Sequence, residues 1–260
     1  MKYPFSYLLK IQFLGFRFSG WQKQVNAKTI HEMVDKSLSY VIMNQEYKTV
    51  GMSRTDAKVS AKNYFLHLFV HERIAQNAFA KDLNFNFPQD IRLLEIQEIS
   101  TSFDLISAAK LKTYHYYFSE GSKNHPYASP FMYGISDTLN IELMQAGATL
   151  FEGSHYFGKY CTKATEHTIL HRTIDSCQIS ENTEFTASFF PKKSYVLKVK
   201  GSGFLRYQIR LMMATLIALG KEEIDLDFIK NSLIQSEDKS PLPFIAPASG
   251  LHLYDIEISG

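Results

Sequence analysis

Three short stretches hold the residues whose types and spacing could do chemistry. The first is Gly51-Met52-Ser53-Arg54-Thr55-Asp56-Ala57-Lys58, with Asp56 at its centre and apolar-flanked segments at residues 47–52 and 63–70. A lone Asp between two strands is ordinarily a turn residue, because its carboxylate accepts bonds from nearby backbone N–H groups. Arg54 adds a second possibility, since a guanidinium two residues away can pair with the carboxylate and hold it ionised. An ionised carboxylate can add to an electrophilic carbon or stabilise developing positive charge. The second stretch, residues 112–118, puts Tyr114, Tyr116 and Phe118 on one side of a strand. Core packing is the ordinary use of such rings. Stacking of Tyr114 on a planar ligand, as aromatics do with unpaired bases, is the functional one. The third, residues 203–213, predicts a helix with Arg206 and Arg210 at i,i+4 on one face and Phe204, Ile209 and Met213 toward the core. A solvated basic face is the plain reading. The alternative aims Arg210 into a cleft, at a carboxylate or phosphate.

The elements that must position these residues follow from periodicity. Residues 7–13 alternate as a half-buried strand. A loop with two glycines around exposed-looking aromatics follows at residues 15–22. Thr29 and Glu32 form a capping box, and Ile30, Met33, Val34, Leu38 and Val41 recur at helical spacing. The Asp56 loop lies between the next two strands, then comes a weaker helix at 74–83 and a strand at 91–99. This β-α-β-β-α-β order is that of a ferredoxin-like unit. The second half repeats it, with strands at 112–119, 172–179 and 195–200 and helices at 141–151, 204–219 and 226–234. A strand at 251–258 completes it. The predicted class is α+β, with a ferredoxin-like lobe over residues 1–102 carrying Asp56 and a second over 103–260. Joined edge to edge, the lobes would form a continuous mixed or antiparallel sheet with a central catalytic cleft.

Composition narrows the field. At 260 residues and 45% hydrophobic content the chain can bury a sizeable core, and a net charge of +2 is too small to declare nucleic-acid binding by itself. Two cysteines, Cys161 and Cys177, support neither a disulfide framework nor a Cys-based metal cage. Residues 1–9 lack a signal-peptide layout and no apolar run reaches membrane-spanning length, so a soluble cytoplasmic protein is expected. There is no Gly-rich phosphate loop, His-Glu-x-x-His pair or Gly-x-Ser-x-Gly elbow. His167 and His171 have helical spacing, but Thr168 and Ile169 between them favour extended chain, and no metal site is expected.

The constellation resembles the TruA-type tRNA pseudouridine synthases over nearly the whole chain. The landmarks are Gly20-Trp21-Gln22-Lys23-Gln24, Thr29-Ile30-His31, Arg54-Thr55-Asp56, Tyr114-His115-Tyr116, Phe204-Leu205-x4-Arg210 and Ala248-Ser249-Gly250-Leu251. Residues 151–157 and Arg172-Thr173-Ile174 are similar to that family's C-terminal lobe. The resemblance implies isomerisation of uridine in the anticodon arm of tRNA, with no cofactor, by a homodimer. It makes Asp56 the catalytic aspartate, Arg54 the residue that assists when the base leaves its stack, Tyr114 the ring on the uracil and Arg210 the aspartate's basic partner. Lys58, Lys62, Arg206, Leu205, Trp21 and Gln22, with Lys198 or Lys200, are the expected RNA contacts. There are departures. The family usually follows the aspartate with Gly-Val-His-Ala, whereas this chain has Ala57-Lys58-Val59-Ser60-Ala61; Leu14 stands where many have Asp, and His115 replaces a common Arg. The alternative is a re-targeted or inactive RNA-binding paralogue on the same fold.

Overall fold

Strict alternation along β1 (Phe5–Phe13) sends Tyr7, Leu9 and Ile11 into the core, each fully buried. The computed structural model describes residues 2–43, 45–236 and 240–259. They divide into two units, Met1–Lys110 with Leu253–Gly260, and Leu111–His252.

In the first unit, α1 (Ile30–Val41) follows β1, and the Thr29 hydroxyl accepts the Glu32 N–H at 3.3 Å, as the capping pattern requires. Ile30, Val34 and Leu38 form its buried face. Next come β2 (Tyr47–Gly51), β3 (Ser60–Val70), α2 (Gln76–Asn86) and β4 (Ile91–Ile99). β1 lies antiparallel between β3 and β4. The far edge of β3 is shared: β2 takes it from Leu66 to Val70, and β10 (Leu251–Ile258) is its other neighbour. There Lys62 Nζ donates to the Tyr254 hydroxyl at 2.8 Å and Asn63 Nδ2 to Asp255 Oδ1 at 3.0 Å. Sequence order puts that last strand with the second half, yet from Leu253 onward it belongs to the first unit. The β4-β1-β3-β2 order is the ferredoxin-like arrangement expected.

After the single-turn α3 (Leu105–Ala108), β5 (Ala109–Ser119) leads into the second unit. It holds β6 (Tyr133–Gly134), α4 (Ile141–Thr149), β7 (Gly153–Tyr156), β8 (His171–Glu181), β9 (Tyr195–Gly201), α5 (Gln208–Gly220) and α6 (Leu226–Ser232). Its sheet runs β5-β9-β8-β7, with β6 parallel to β5. Cross-strand partners share a face. Tyr114, Val199 and Cys177 therefore line one face with Tyr116, Leu197 and Ile179, all buried. Thr113, Lys200 and Ser176 line the other, with His115, Lys198 and Gln178. No helix among the described residues is long and apolar enough to cross a membrane.

One expectation fails here. α5 starts at Gln208, not at residue 204, because Tyr207 takes a left-handed φ of 64° that breaks the helical path. The Gln208 side chain then serves the preceding turn, its Oε1 accepting the Leu205 N–H at 2.8 Å. Arg206 is outside the helix, so it shares no helical face with Arg210.

Candidate active site

The Asp56 loop is built by two segments distant in sequence. On the near side, β2 ends at Gly51 and the loop entrance is held by Tyr64 of β3, whose hydroxyl accepts the Ser53 N–H at 3.3 Å. On the far side, the loop at residues 15–21 runs against it backbone to backbone. The Trp21 N–H donates to the Thr55 carbonyl at 3.1 Å, and the Lys58 N–H to the Phe18 carbonyl at 3.0 Å. The Gly15 N–H donates to Ser60 Oγ at 3.0 Å. Asp56 is thus bracketed by bonds at residues 55, 58 and 60, and it is half-buried. Arg54 is exposed.

Glycine is needed at the contact. Gly20 has φ 90°, and a Cβ there would lie 2.6 Å from the Thr55 carbonyl oxygen and 3.1 Å from the Asp56 carbonyl carbon. Only a residue without Cβ lets the two backbones meet.

Trp21 closes the arrangement from inside. It is 2% exposed, stacked on His31 with ring centroids 5.1 Å apart and tilted on Tyr64 at 4.1 Å. Its backbone N–H donates to the Thr55 carbonyl and its carbonyl accepts the His31 N–H, so Trp21, expected as an RNA contact, is a buried residue that backs the loop from the core. Burial, with Lys23 nearby, pushes the His31 imidazole down to about 4, keeping it neutral under the indole. His31 Nε2 and the Thr49 hydroxyl are 2.8 Å apart. Gln22, next to Trp21, is exposed.

In the second unit, Tyr114 is 8% exposed, with Phe204 edge-on at 5.3 Å and 85°. Two residues earlier on the same face, burial lowers the Lys112 pKa. Arg210, in the first turn of α5, is half-buried; its Nε donates to the Ala246 carbonyl at 2.7 Å and its guanidinium lies 4.8 Å from the Tyr207 ring. It is not on a solvated face. The Arg206 guanidinium is 5.3 Å from the same ring, so the two cations meet Tyr207 in spite of the broken helix. Leu205 is 7% exposed. Behind Arg210, Tyr116 is fully buried and donates to the Pro247 carbonyl at 2.7 Å; burial raises its pKa, which Arg210 partly opposes.

Comparison with known proteins points the same way. A family model described as tRNA pseudouridine synthase matches residues 148–257. Relatives align over almost the full length: tRNA pseudouridine synthase A 2 of Bacillus cereus is 28% identical over 253 residues, covering 97% of this chain and 99% of the relative. The tRNA pseudouridine synthase A proteins of Aquifex aeolicus and Exiguobacterium sibiricum are 28% and 29% identical, covering 95% of this chain and 97% and 94% of their own. The chain is similar to the TruA-type tRNA pseudouridine synthases over nearly its whole length.

The family's departures in this chain acquire physical meaning. Lys58 has φ 67°, a left-handed backbone that glycine takes without strain, and its ammonium lies 5.8 Å from the Phe16 ring. Ser60, one of the divergent positions, supplies the acceptor for Gly15. In the sequence Ser60 stands out only as a departure and Tyr64 carries no functional signal beyond the alternation of β3, which puts it with Leu66 in the core. Lys58, Lys62 and Arg206 are exposed. Lys198 and Lys200 sit on the sheet face opposite Tyr114, and Lys198 Nζ lies 3.8 Å from Glu184.

Proposed function

We propose that this protein isomerises uridine to pseudouridine in tRNA, with Asp56 as the catalytic carboxylate. The observation that carries this reading is the bracing of Asp56, a half-buried acid on a loop gripped by backbone bonds through Trp21 and Phe18. A carboxylate so fixed is pre-organised for a single geometry of attack. The reaction breaks the N1–C1′ glycosidic bond and forms a C5–C1′ bond within one nucleotide. C5 releases its proton and N1 takes one up, so atoms and electrons balance without oxidant or nucleotide. Two routes satisfy that balance: Asp56 adds covalently to sugar or base, or it stabilises charge while the uracil detaches and rotates.

Either route requires the uridine to leave its stack. Tyr114 stacks on the uracil and offsets part of the unstacking by about 1–3 kcal/mol. Phe204, edge-on, fixes the phenol ring for that task. By carry-over from the family, Arg54 assists the base as it leaves and Arg210 is the basic partner of the catalytic acid. The target lies in the anticodon arm and the enzyme works as a homodimer, both carried over from the family. Lys58, Lys62 and Arg206, all exposed, meet the phosphates.

Unmodified tRNA transcripts test this. Incubated with the protein alone, they should gain pseudouridine at anticodon-arm uridines, mapped by carbodiimide-dependent primer extension. Transcripts that bind but stay unmodified would favour a binding paralogue and overturn the reading.

A further inference from the structure

We infer that the tight turn at residues 24–27 is a second RNA-contacting device, with Val25 as an apolar wedge beside the target nucleotide and Lys28 as its phosphate anchor. The inference rests on the pseudouridine synthase reading and assigns residues that reading does not use. Val25 is 91% exposed. Single exposed apolar residues are common, but this one stands on a rigid tip. A bridge between Gln24 and Ala27 closes the turn, and Asn26 takes the left-handed φ of 59° suited to its third position. The Gln24 amide donates to the Ser19 carbonyl at 3.0 Å, and the Ser19 N–H to the Lys28 carbonyl at 2.8 Å. Lys23 is paired with Asp35 at the turn's base.

The turn's root is the segment that grips the Asp56 loop. Phe18 connects the two: its carbonyl accepts the Lys58 N–H, and the Lys28 ammonium lies 5.2 Å from its ring. Phe18 thus joins the exposed Lys28 of the turn to the backbone of the catalytic loop. Gly20 touches the backbone of that loop. Val25 follows it by five residues, a reach of at most ~17 Å. A tip within that distance and basic at its root meets the nucleotides flanking a uridine held at Asp56. Apolar side chains inserted between base steps unstack them and bend the strand. Val25 is so placed to hold open the gap left when the uridine flips.

The test uses full-length protein and tRNA transcripts bearing a known target. Because Val25 is solvent-exposed, Val25→Asp should unfold at the wild-type temperature yet lower the single-turnover rate at saturating enzyme at least tenfold, with Val25→Ala intermediate. Lys28→Gln should reduce the slope of log affinity against log salt by about one. A photocrosslinking residue at position 25 should react within about three nucleotides of the modified uridine. Wild-type rates in both Val25 variants, or crosslinks elsewhere on the tRNA, would overturn the wedge while leaving the enzyme reading standing. A change in sedimentation without a change in rate would mark Val25 as a protein contact and overturn it too. No product from wild type would overturn the reading, and the wedge with it.

Discussion

The backbone N–H of Trp21 donates to the carbonyl of Thr55 at 3.1 Å, one residue before Asp56. The approach depends on Gly20, whose φ of 90° and 2.6 Å clearance to Thr55 leave no room for a side chain. Gly20→Ala should therefore cost about 1–3 kcal/mol of stability through strain alone. By displacing the loop it should also lower turnover more than tenfold. Chemical denaturation beside single-turnover assays checks both; a variant with wild-type stability would show that the two loops do not depend on that contact.

Lys58 offers the opposite substitution. A non-glycine residue in the left-handed region is strained by roughly 1–2 kcal/mol, and glycine returns about 0.5–1 kcal/mol of that in backbone entropy. Lys58→Gly should be more stable than wild type by about 0.5–1 kcal/mol. It should also bind tRNA less tightly, with a salt slope reduced by about one. If the variant is less stable, the cation over Phe16 matters more to the fold than the strain does.

How far the sequence reveals this molecule depends on whether the deciding force is local. Alternation in residues 5–13 and the Thr29–Glu32 cap are local signals, and both elements appear as expected. The start of α5 is not, since nothing in Phe204-Leu205-Arg206-Tyr207 announces that Tyr207 turns left-handed. The four-residue strand β7 pairs only through its register with β8, and no periodicity marks it. Trp21 illustrates the same limit at the site. Flanked by glycine and polar residues it reads as exposed, but Gly20 lets its backbone meet Thr55, and the ring is then enclosed by His31 and Tyr64. The motif located the acid; long-range contacts determined what its neighbours do.

The first unit holds a buried charge-sensitive group outside the site. His67 is 1% exposed, its Nε2 has no hydrogen-bond partner among the described residues, and burial, with Lys48 nearby, lowers its pKa to about 4. The unfolded chain titrates near 6.5, so between pH 6.5 and 4 it binds more protons than the folded one, and stability falls as pH drops through that window. His67→Leu removes both the proton site and the orphaned nitrogen, whose burial costs about 1–3 kcal/mol. Its gain over wild type should be larger at pH 5 than at pH 8. Equal gains at both would mean that His67 does not titrate in this range; His31 and His252, also lowered to about 4 by burial, would sustain a residual slope.

Arg210 has both a structural and a chemical assignment. Its Nε bond to Ala246, with the Ala246 N–H returned to the Arg210 carbonyl at 3.1 Å, ties the segment before β10 to α5. Arg210→Met should lose about 1.5–3 kcal/mol for the charged hydrogen bond. Turnover should fall more than a hundredfold, beyond what that destabilisation explains while the variant stays folded. Native turnover in a destabilised Arg210→Met protein would confine the residue to structure.

The catalytic assignment itself comes down to Asp56→Asn. Asn keeps the size of the side chain and much of its hydrogen bonding, so the clamp through Trp21 and Phe18 should survive. It removes the charge and the nucleophilic oxygen that the isomerisation requires. Tritium release from tRNA labelled at C5 of uridine, measured beside tRNA affinity, reads both consequences. Wild type should release tritium, and the Asn variant should release none while binding tRNA at least as tightly, having lost a negative charge beside a polyanion. Release by the Asn variant at the wild-type rate would mean that Asp56 is not the catalyst.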